Sequence, residues 1–411
     1  MKPLRILITN NTLDARAGSE LYVKDLAIGL LRRGHQPVAY STVLGGVAEE
    51  LRRATVPAID SLDLLGVPPD LIHGHHHLDT MTALLRFPGV PAVSFCHGWL
   101  PWQEAPPRFP RILRYVAVDE ACRDRLVFEN GIPENRVRVI LNFVDLERFQ
   151  PRPPLPQVAS RALVLSNTVS ERTGLGVIRE ACARTGLLLD VVGLAAGNPC
   201  PNPESLLHQY DIVFAKARCA LEALAVGAAV IACDAGSSGP MVTLAELPRL
   251  RRQNFGVRAL TEPLSVESLI RQIQRYDPQD AVRVSETIRA TAGLDPAVDH
   301  LVSLYGEVIA EHAAMAPQDC QRELRAAAVY LERWGPGFKA LASSSTGGAA
   351  SLVAASAARG TLTAEVERLQ AELNAVYRSL TWRLTQGFLG LPILGTVLGP
   401  ITRWLAHRFG R

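Results

Sequence analysis

The sequence has almost no excess charge of one sign: 43 Lys and Arg against 40 Asp and Glu leave +3 at pH 7 over 411 residues. The basic residues are dispersed until the extreme C-terminus, so no electrostatic footprint for nucleic acid exists, and nucleic acid is not expected as a partner. Cysteine is scarce and badly spaced for pairing. The seven, Cys96, Cys122, Cys182, Cys200, Cys219, Cys233 and Cys320, are odd in number and form no CxxC, which argues against a disulfide framework or a thiolate zinc site. Reduced thiols in a cytoplasmic setting are the simple expectation. The opening run, Met1-Lys2-Pro3-Leu4-Arg5-Ile6-Leu7-Ile8, has neither the long apolar stretch nor the small-residue cleavage site of a signal peptide. An unbroken apolar span is missing too. Residues 384–402 carry no charge, but Pro392, Pro400 and four glycines interrupt them, which disfavours a regular spanning helix.

What is present is ordinary globular material, 48% hydrophobic and 20% charged, at a length that suits two domains and an appendage. A short apolar run at residues 4–9 and short segments at 37–41, 71–75, 91–95, 115–118 and 137–140 read as strands. Between the first two, Ser19 can cap a helix whose apolar positions Val23, Ala27, Leu30 and Leu31 fall at helical spacing, with Gly34 ending it. Strands alternating with helices imply a parallel sheet covered on both faces. Pro151, Pro153, Pro154 and Pro156 then break the pattern. It restarts with strands at 162–165, 187–192, 211–214 and 229–233, a helix at 177–183, and helical sequence over 265–314.

The expected architecture is therefore α/β: two Rossmann-like, doubly wound domains facing a cleft, plus a helical C-terminal tail. Residues 1–150 form the first domain, 151–160 a Pro-rich linker and 161–315 the second domain. Residues 316–361 read as a helical and Gly/Ala/Ser-rich connector, and 362–411 as an amphipathic helix with an apolar and basic tail. Such sheets bind ligands at the carboxyl ends of their strands.

In the tail, Leu362, Val366, Leu369, Leu373, Val376 and Leu380 repeat at 4-3-4-3-4 spacing, a short coiled-coil seam or an amphipathic helix docking on its own chain. Arg378, Arg383, Arg403, Arg408 and Arg411, with Trp382, Trp404 and Phe409, flank the apolar segment. Interfacial membrane contact through residues 378–411 is the leading expectation; packing against protein and true spanning are the alternatives.

Three blocks together resemble glycosyltransferase family 4, a family of retaining GT-B enzymes. They are Ala17-Gly18-Ser19-Glu20-Leu21-Tyr22-Val23 with Leu30-Leu31-Arg32-Arg33-Gly34-His35; Val116-Ala117-Val118-Asp119-Glu120 through Gly131-Ile132-Pro133 to Val139-Ile140-Leu141-Asn142-Phe143-Val144-Asp145, with Phe149 and Pro151; and Leu221-Glu222-Ala223-Leu224-Ala225-Val226-Gly227-Ala228-Ala229-Val230-Ile231 with Asp234 and Gly236. The resemblance covers about residues 4–310. The short stretch Ser379-Leu380-Thr381-Trp382-Arg383-Leu384-Thr385 is similar to a tail of bacterial surface-polysaccharide transferases. The resemblance implies sugar transfer from a nucleotide-sugar donor to a glycan or lipid-linked acceptor. It also implies retention of configuration, no cofactor and no essential metal.

The site residues follow from this resemblance and from their own chemistry. Glu222, near a helix start beside apolar residues, can accept hydrogen bonds from both ribose hydroxyls; the plainer explanation is a first-turn carboxylate complementing the helix dipole. Lys216 and Arg218, between a strand end and a helix start, suit a diphosphate, or form a solvated surface pair. Gly18 in the first strand-to-helix loop permits close approach of the transferring phosphate. His97, after a strand, matches the family's histidine near the donor sugar and is the candidate catalytic residue; His75 is placed on the acceptor wall. Ser238 and Gly239 could lend backbone N–H groups to donor oxygens, or simply turn the chain.

Two departures from the family stand out. Phe214 occupies the position, eight before Glu222, where a further Glu usually contacts the donor sugar. After the first strand of the second half, where an Arg and a Lys usually meet the phosphates, only Arg172 offers a charge. These departures keep a catalytically silent nucleotide-binding or scaffolding subunit open as the rival function, with a nucleotide-sugar epimerase as a third reading. His73, His75, His76 and His77 lack the spacing and partners of a tetrahedral metal set.

Overall fold

The computed structural model describes residues 2–315 and 320–345. Both sheets belong to one compact unit, Met1–Tyr330. The first contains β1 (Arg5–Thr9), β2 (Gln36–Tyr40), β3 (Ala58–Ile59), β4 (Leu71–His75), β5 (Ala92–Cys96), β6 (Ile112–Ala117) and β7 (Val137–Val139) in the order β3-β2-β1-β4-β5-β6-β7. All its ladders are parallel. The second contains β8 (Arg161–Leu165), β9 (Leu188–Val192), β10 (Ile212–Ala215), β11 (Ala229–Asp234), β12 (Ser237–Met241) and β13 (Glu262–Pro263) in the order β13-β12-β11-β10-β8-β9. Its first four strands pair in parallel, and β12 runs antiparallel to both β11 and β13.

Every expected strand is present, with ends displaced by no more than three residues. Strands covered on both faces are buried along their length, and all five residues of β4 and of β5 are buried, including His73 and His75 of β4. The two-residue β3 is too short to leave such a run.

The covering helices are α1 (Gly18–Arg32), α2 (Gly46–Arg53), α3 (His77–Arg86) and α4 (Glu120–Asp124) in the first half. In the second they are α5 (Leu175–Arg184), α6 (Pro203–Leu207), α7 (Ala217–Val226), α8 (Leu247–Arg252), α9 (Val266–Ile273) and α10 (Pro278–Thr291). They are followed by α11 (Leu294–Ala314) and α12 (Cys320–Ser345).

Three expectations are corrected. Ser19 does not cap α1: the N-cap is Ala17, and the Ser19 hydroxyl donates instead to the buried Glu20 carboxylate at 2.9 Å. The segment read as a turn around Ser238 and Gly239 is strand β12, a run of Ser, Gly and Pro with no β-propensity signal that the sheet imposes from both sides. The domain boundary at 315 is also displaced. Leu294, Val298, Leu301, Leu304, Tyr305 and Val308 of α11 join the core of the first half, beside Ile6, Val23 and Leu26. The chain crosses back at Gly293, where Val144 N–H donates to Ala292 C=O (2.8 Å) and Leu294 N–H to Val144 C=O (2.9 Å). The helical part of the connector is α12; residues 346–361 and the 362–411 tail, with its heptad, membrane and surface-polysaccharide expectations, lie outside the described residues. Among the described residues no helix is long and apolar enough to cross a membrane.

Candidate functional site

Each sheet has a topological switch point, where neighbouring strands send their connections to opposite sides and leave a crevice at their carboxyl ends. In the first sheet this lies between β1 and β4, in the second between β8 and β10. The sequence candidates collect at these two places. Gly18 opens α1 after β1, and His75 ends β4. Arg172 follows β8, and Lys216 and Arg218 follow β10.

At the first switch point the α1 N-terminus has no side-chain cap. A Cβ on Gly18 would meet nothing within 4 Å, so the helix end is open to an anion. Behind it stands a layer of histidines. His75 is fully buried and its Nδ1 lies 2.6 Å from His97 Nε2. The two rings stack at 4.7 Å, and the Tyr22 ring meets both edge-on, at 5.4 and 4.9 Å. His75 is therefore not on the acceptor wall; it supports His97 from below. Burial depresses the His97 pKa to about 4 and pushes His75 and His73 well below the ordinary imidazole value. These rings are neutral at pH 7. The Nε2 atoms of His73 and His75 are buried without a hydrogen-bond partner.

His76 behaves differently. Burial works to lower its pKa, but the Glu104 carboxylate, 3.3 Å from its Nε2, reverses the balance and raises it. Glu104 also accepts the His97 backbone N–H at 2.8 Å, and His76 Nδ1 accepts the Asn11 N–H at 3.0 Å. His76 adopts φ 60°, ψ 143° at the β4–α3 junction, a region an L-residue enters only when its surroundings force it. The two side-chain contacts and the flanking strand supply that force. His77 Nδ1 lies 2.7 Å from the Tyr330 hydroxyl. Among the described residues no group of three or more His, Cys, Asp or Glu is placed to hold a metal ion.

The second switch point is charged. Lys216 pairs with Asp234, whose other oxygen accepts the Thr168 hydroxyl. Ala217, next in the chain, has φ 48° and donates its N–H to Phe255 C=O at 3.0 Å. Arg218 is buried; its Nε donates to Glu222 Oε1 at 2.7 Å, and its Nη2 to Asp25 of α1. Arg148 grips the same Asp25 with two bonds of 3.2 and 3.0 Å. Burial raises the Glu222 pKa against the pull of Arg218 and Arg148. For Asp25 burial also acts upward, but the fields of Arg218, Arg148 and Lys24 outweigh it and the pKa falls. Arg218 thus carries neither a free phosphate-binding charge nor a solvated surface one, contrary to both sequence readings. It joins the two halves through a buried ion cluster.

Further contacts bring the same two edges together. Arg258 donates to Asp124 at 2.7 Å and lies 5.5 Å from the Trp99 ring centre; Arg252 lies 3.5 Å from Glu120. Arg172 is exposed, with no ion pair among the described residues, and lines a cavity of about 640 Å³ with Ser170, Ala195 and Asn198. Ser238 and Gly239 are held inside β12, and a Cβ on Gly239 would come within 2.1 Å of Ala259 C=O. That glycine serves sheet packing. Phe214 is a core residue of β10, 1% exposed, so no side chain there can reach a ligand.

Sequence reasoning missed Asp25, Arg148, Glu104 and Tyr22. Asp25 interrupts the apolar face of α1, and that buried-side carboxylate was the available signal.

These features define the two-domain GT-B class of glycosyltransferase folds. Residues 16–148 match the model of Glycosyltransferase Family 4. No curated protein matches the sequence significantly. Solved structures with the same fold include a glycosyltransferase from Rickettsia africae, 16% identical, covering 75% of this chain and 99% of that one at a TM-score of 0.57. Another is Anabaena Alr3699/HepE in complex with UDP-glucose, 15% identical, covering 74% and 100% at 0.54. A third is sucrose-phosphate synthase from Thermosynechococcus elongatus, 15% identical, covering 75% and 100% at 0.52.

Proposed function

We propose that this chain is a glycosyltransferase that binds a nucleotide-sugar at the second sheet's switch point and transfers its sugar to a glycan or lipid-linked acceptor held by the first half. The observation that carries this reading is Glu222. It is a buried carboxylate on the helix that follows β10, facing the first half across Arg218 and Asp25. A carboxylate there is placed to accept ribose hydroxyls once Arg218 turns toward Asp25 alone. In the reaction an acceptor hydroxyl oxygen bonds to the anomeric carbon as the bond to the donor's phosphate oxygen breaks, and the hydroxyl proton passes to that departing phosphate oxygen. The departing diphosphate gathers negative charge beside Arg172, Lys216 and the uncapped start of α1, which stabilise it without reorganising. The neutral His97 ring offers a hydrogen bond to the sugar and, held by His75, keeps its orientation. No side chain is assigned as nucleophile. Ser238 and Gly239 supply structure rather than contacts in this scheme. Retention of configuration, a hexosyl donor and a part in bacterial surface polysaccharide or lipopolysaccharide synthesis at the inner face of the cell membrane complete the proposal. UDP-glucose, bound by the Anabaena protein of the same fold, is the first donor to try.

The test is calorimetry with UDP, GDP, ADP and CMP on the wild type and Glu222→Ala. Selective binding of one nucleotide, lost in the variant, supports the transferase and fixes the donor class. Binding of none favours the silent scaffold, a reading that rests on Lys216 and Arg218 being already neutralised by Asp234, Asp25 and Glu222.

A further inference from the structure

A second cluster of cations lies at the opposite edge of the first sheet. Residues 108–110 lead into β6 and residues 131–136 into β7, so this is the amino edge of the sheet, away from His97 and Asp119. Here Arg108, Arg136 and Arg322 line one cavity of about 250 Å³, with Gly131, Ile132 and Ala326 among its walls. Arg322 is brought in by the first turns of α12, which Arg111 anchors through a two-pronged pair to Glu323 (2.8 and 3.1 Å).

None of these three arginines has an acidic partner among the described residues. Described carboxylates close to them in sequence are engaged elsewhere: Glu104 with His76, Glu134 with Arg123 and Glu323 with Arg111. Arg136 is fixed by bonds to the Ile112 and Leu113 carbonyls and lies 5.6 Å from the Tyr115 ring centre. Arg108 extends over Gly131, whose added Cβ would lie 3.1 Å from its Nη2. That glycine, at φ +59°, leaves the guanidinium room. Three like charges converging on one concave site repel one another, and an anion relieves that repulsion. Planar guanidinium forks suit a tetrahedral phosphate with several oxygens.

We infer that Arg108, Arg136 and Arg322 form a binding site for a phosphate group, distinct from the donor site. The phosphate arrives either on a soluble molecule or on a lipid headgroup. Phe128 and Leu324, 73% and 69% exposed, lie three residues before Gly131 and two after Arg322, which is why the lipid source must be tested beside the soluble one.

The experiment uses the full chain, with inorganic pyrophosphate in calorimetry and phosphatidylcholine vesicles, with and without phosphatidylglycerol, in flotation. The variant is Arg108→Gln/Arg322→Gln, which removes no internal hydrogen bond described here; Arg136→Gln is added in a second variant. Arg184→Gln/Arg271→Gln, on exposed second-half arginines, is the charge-matched control for the double variant. The wild type is expected to bind one probe at least tenfold more tightly than the double variant, with the control unchanged. Loss confined to the vesicles containing phosphatidylglycerol assigns a lipid headgroup; loss confined to pyrophosphate assigns a soluble phosphate. Equal binding by wild type and double variant to both probes, or equal loss in the control, overturns the site.

Discussion

At the carboxyl edge of the first sheet, His73, His75 and His97 are packed into an aromatic layer and kept neutral by burial; at the corresponding edge of the second, Lys216, Asp234 and Arg172 stay partly or fully exposed. The first edge is built before any ligand arrives. Its His75 and His97 rings stack on each other and meet Tyr22 edge-on, and the Glu104 carboxylate fixes both His76 and the His97 backbone. The second edge is one partly exposed ion pair, Lys216 with Asp234, beside an Arg172 that pairs with no described residue, charges that a polyanion can re-partner. On the proposed function, rigidity suits a half that aims an acceptor, and exchangeable charge suits a half that takes up and releases a nucleotide diphosphate. Arg218 sits on the seam and belongs to both.

The largest expected effect comes from cutting that seam. Arg218→Ala leaves Asp25 and Glu222 buried with one cation fewer, and loss of one partner of a buried ion cluster costs about 3–5 kcal/mol; urea unfolding measures it. A loss below about 1 kcal/mol would show that the seam is as adaptable as the second edge. Glu222→Ala comes next. Removing one charge-assisted bond, about 1.5–3 kcal/mol, should weaken the bound nucleotide by a factor of ~10 to ~150 in calorimetry, and removing two by more.

The third effect separates the two edges by pH. The His97 pKa is lower in the fold, at about 4, than in an unfolded chain, where imidazole titrates near 6.5. The unfolded state therefore binds more protons between these values, and stability falls as pH drops below about 6.5. Between pH 7 and 5 this amounts to about 2 kcal/mol that His97→Gln should remove from the pH dependence of unfolding. An unchanged slope would mean that the ring is solvated. The smallest effect is Lys216→Met, which breaks a partly exposed pair and should shift stability by less than about 1 kcal/mol. In the same calorimetry Lys216→Glu should still weaken nucleotide binding, and unchanged binding would remove Lys216 from the donor site.

Most strands were legible because parallel strands buried on both faces leave apolar runs, as 162–165 and 229–233 show. Strand β12 was not, because Ser237-Ser238-Gly239-Pro240 carries turn chemistry and is held extended only by its neighbours. Positions near the site were legible for local reasons: glycine before a helix, charge after a strand. Their partners were not. Nothing local connects Asp25 to Arg218, 193 residues apart, or tells His75 that its ring will lie beneath His97. Periodicity likewise identified α11 as a helix without saying which sheet it would cover.

That last misassignment has a consequence for how the chain is made. Because residues 294–308 complete the core of the first half, the sheet synthesised first stays unfinished until almost the whole second half has left the ribosome. A nascent chain halted near residue 290 would hold every strand of both sheets yet lack α11 and the pairing of Val144 with Gly293, so the last piece of the first half's core is supplied after the second half has been made.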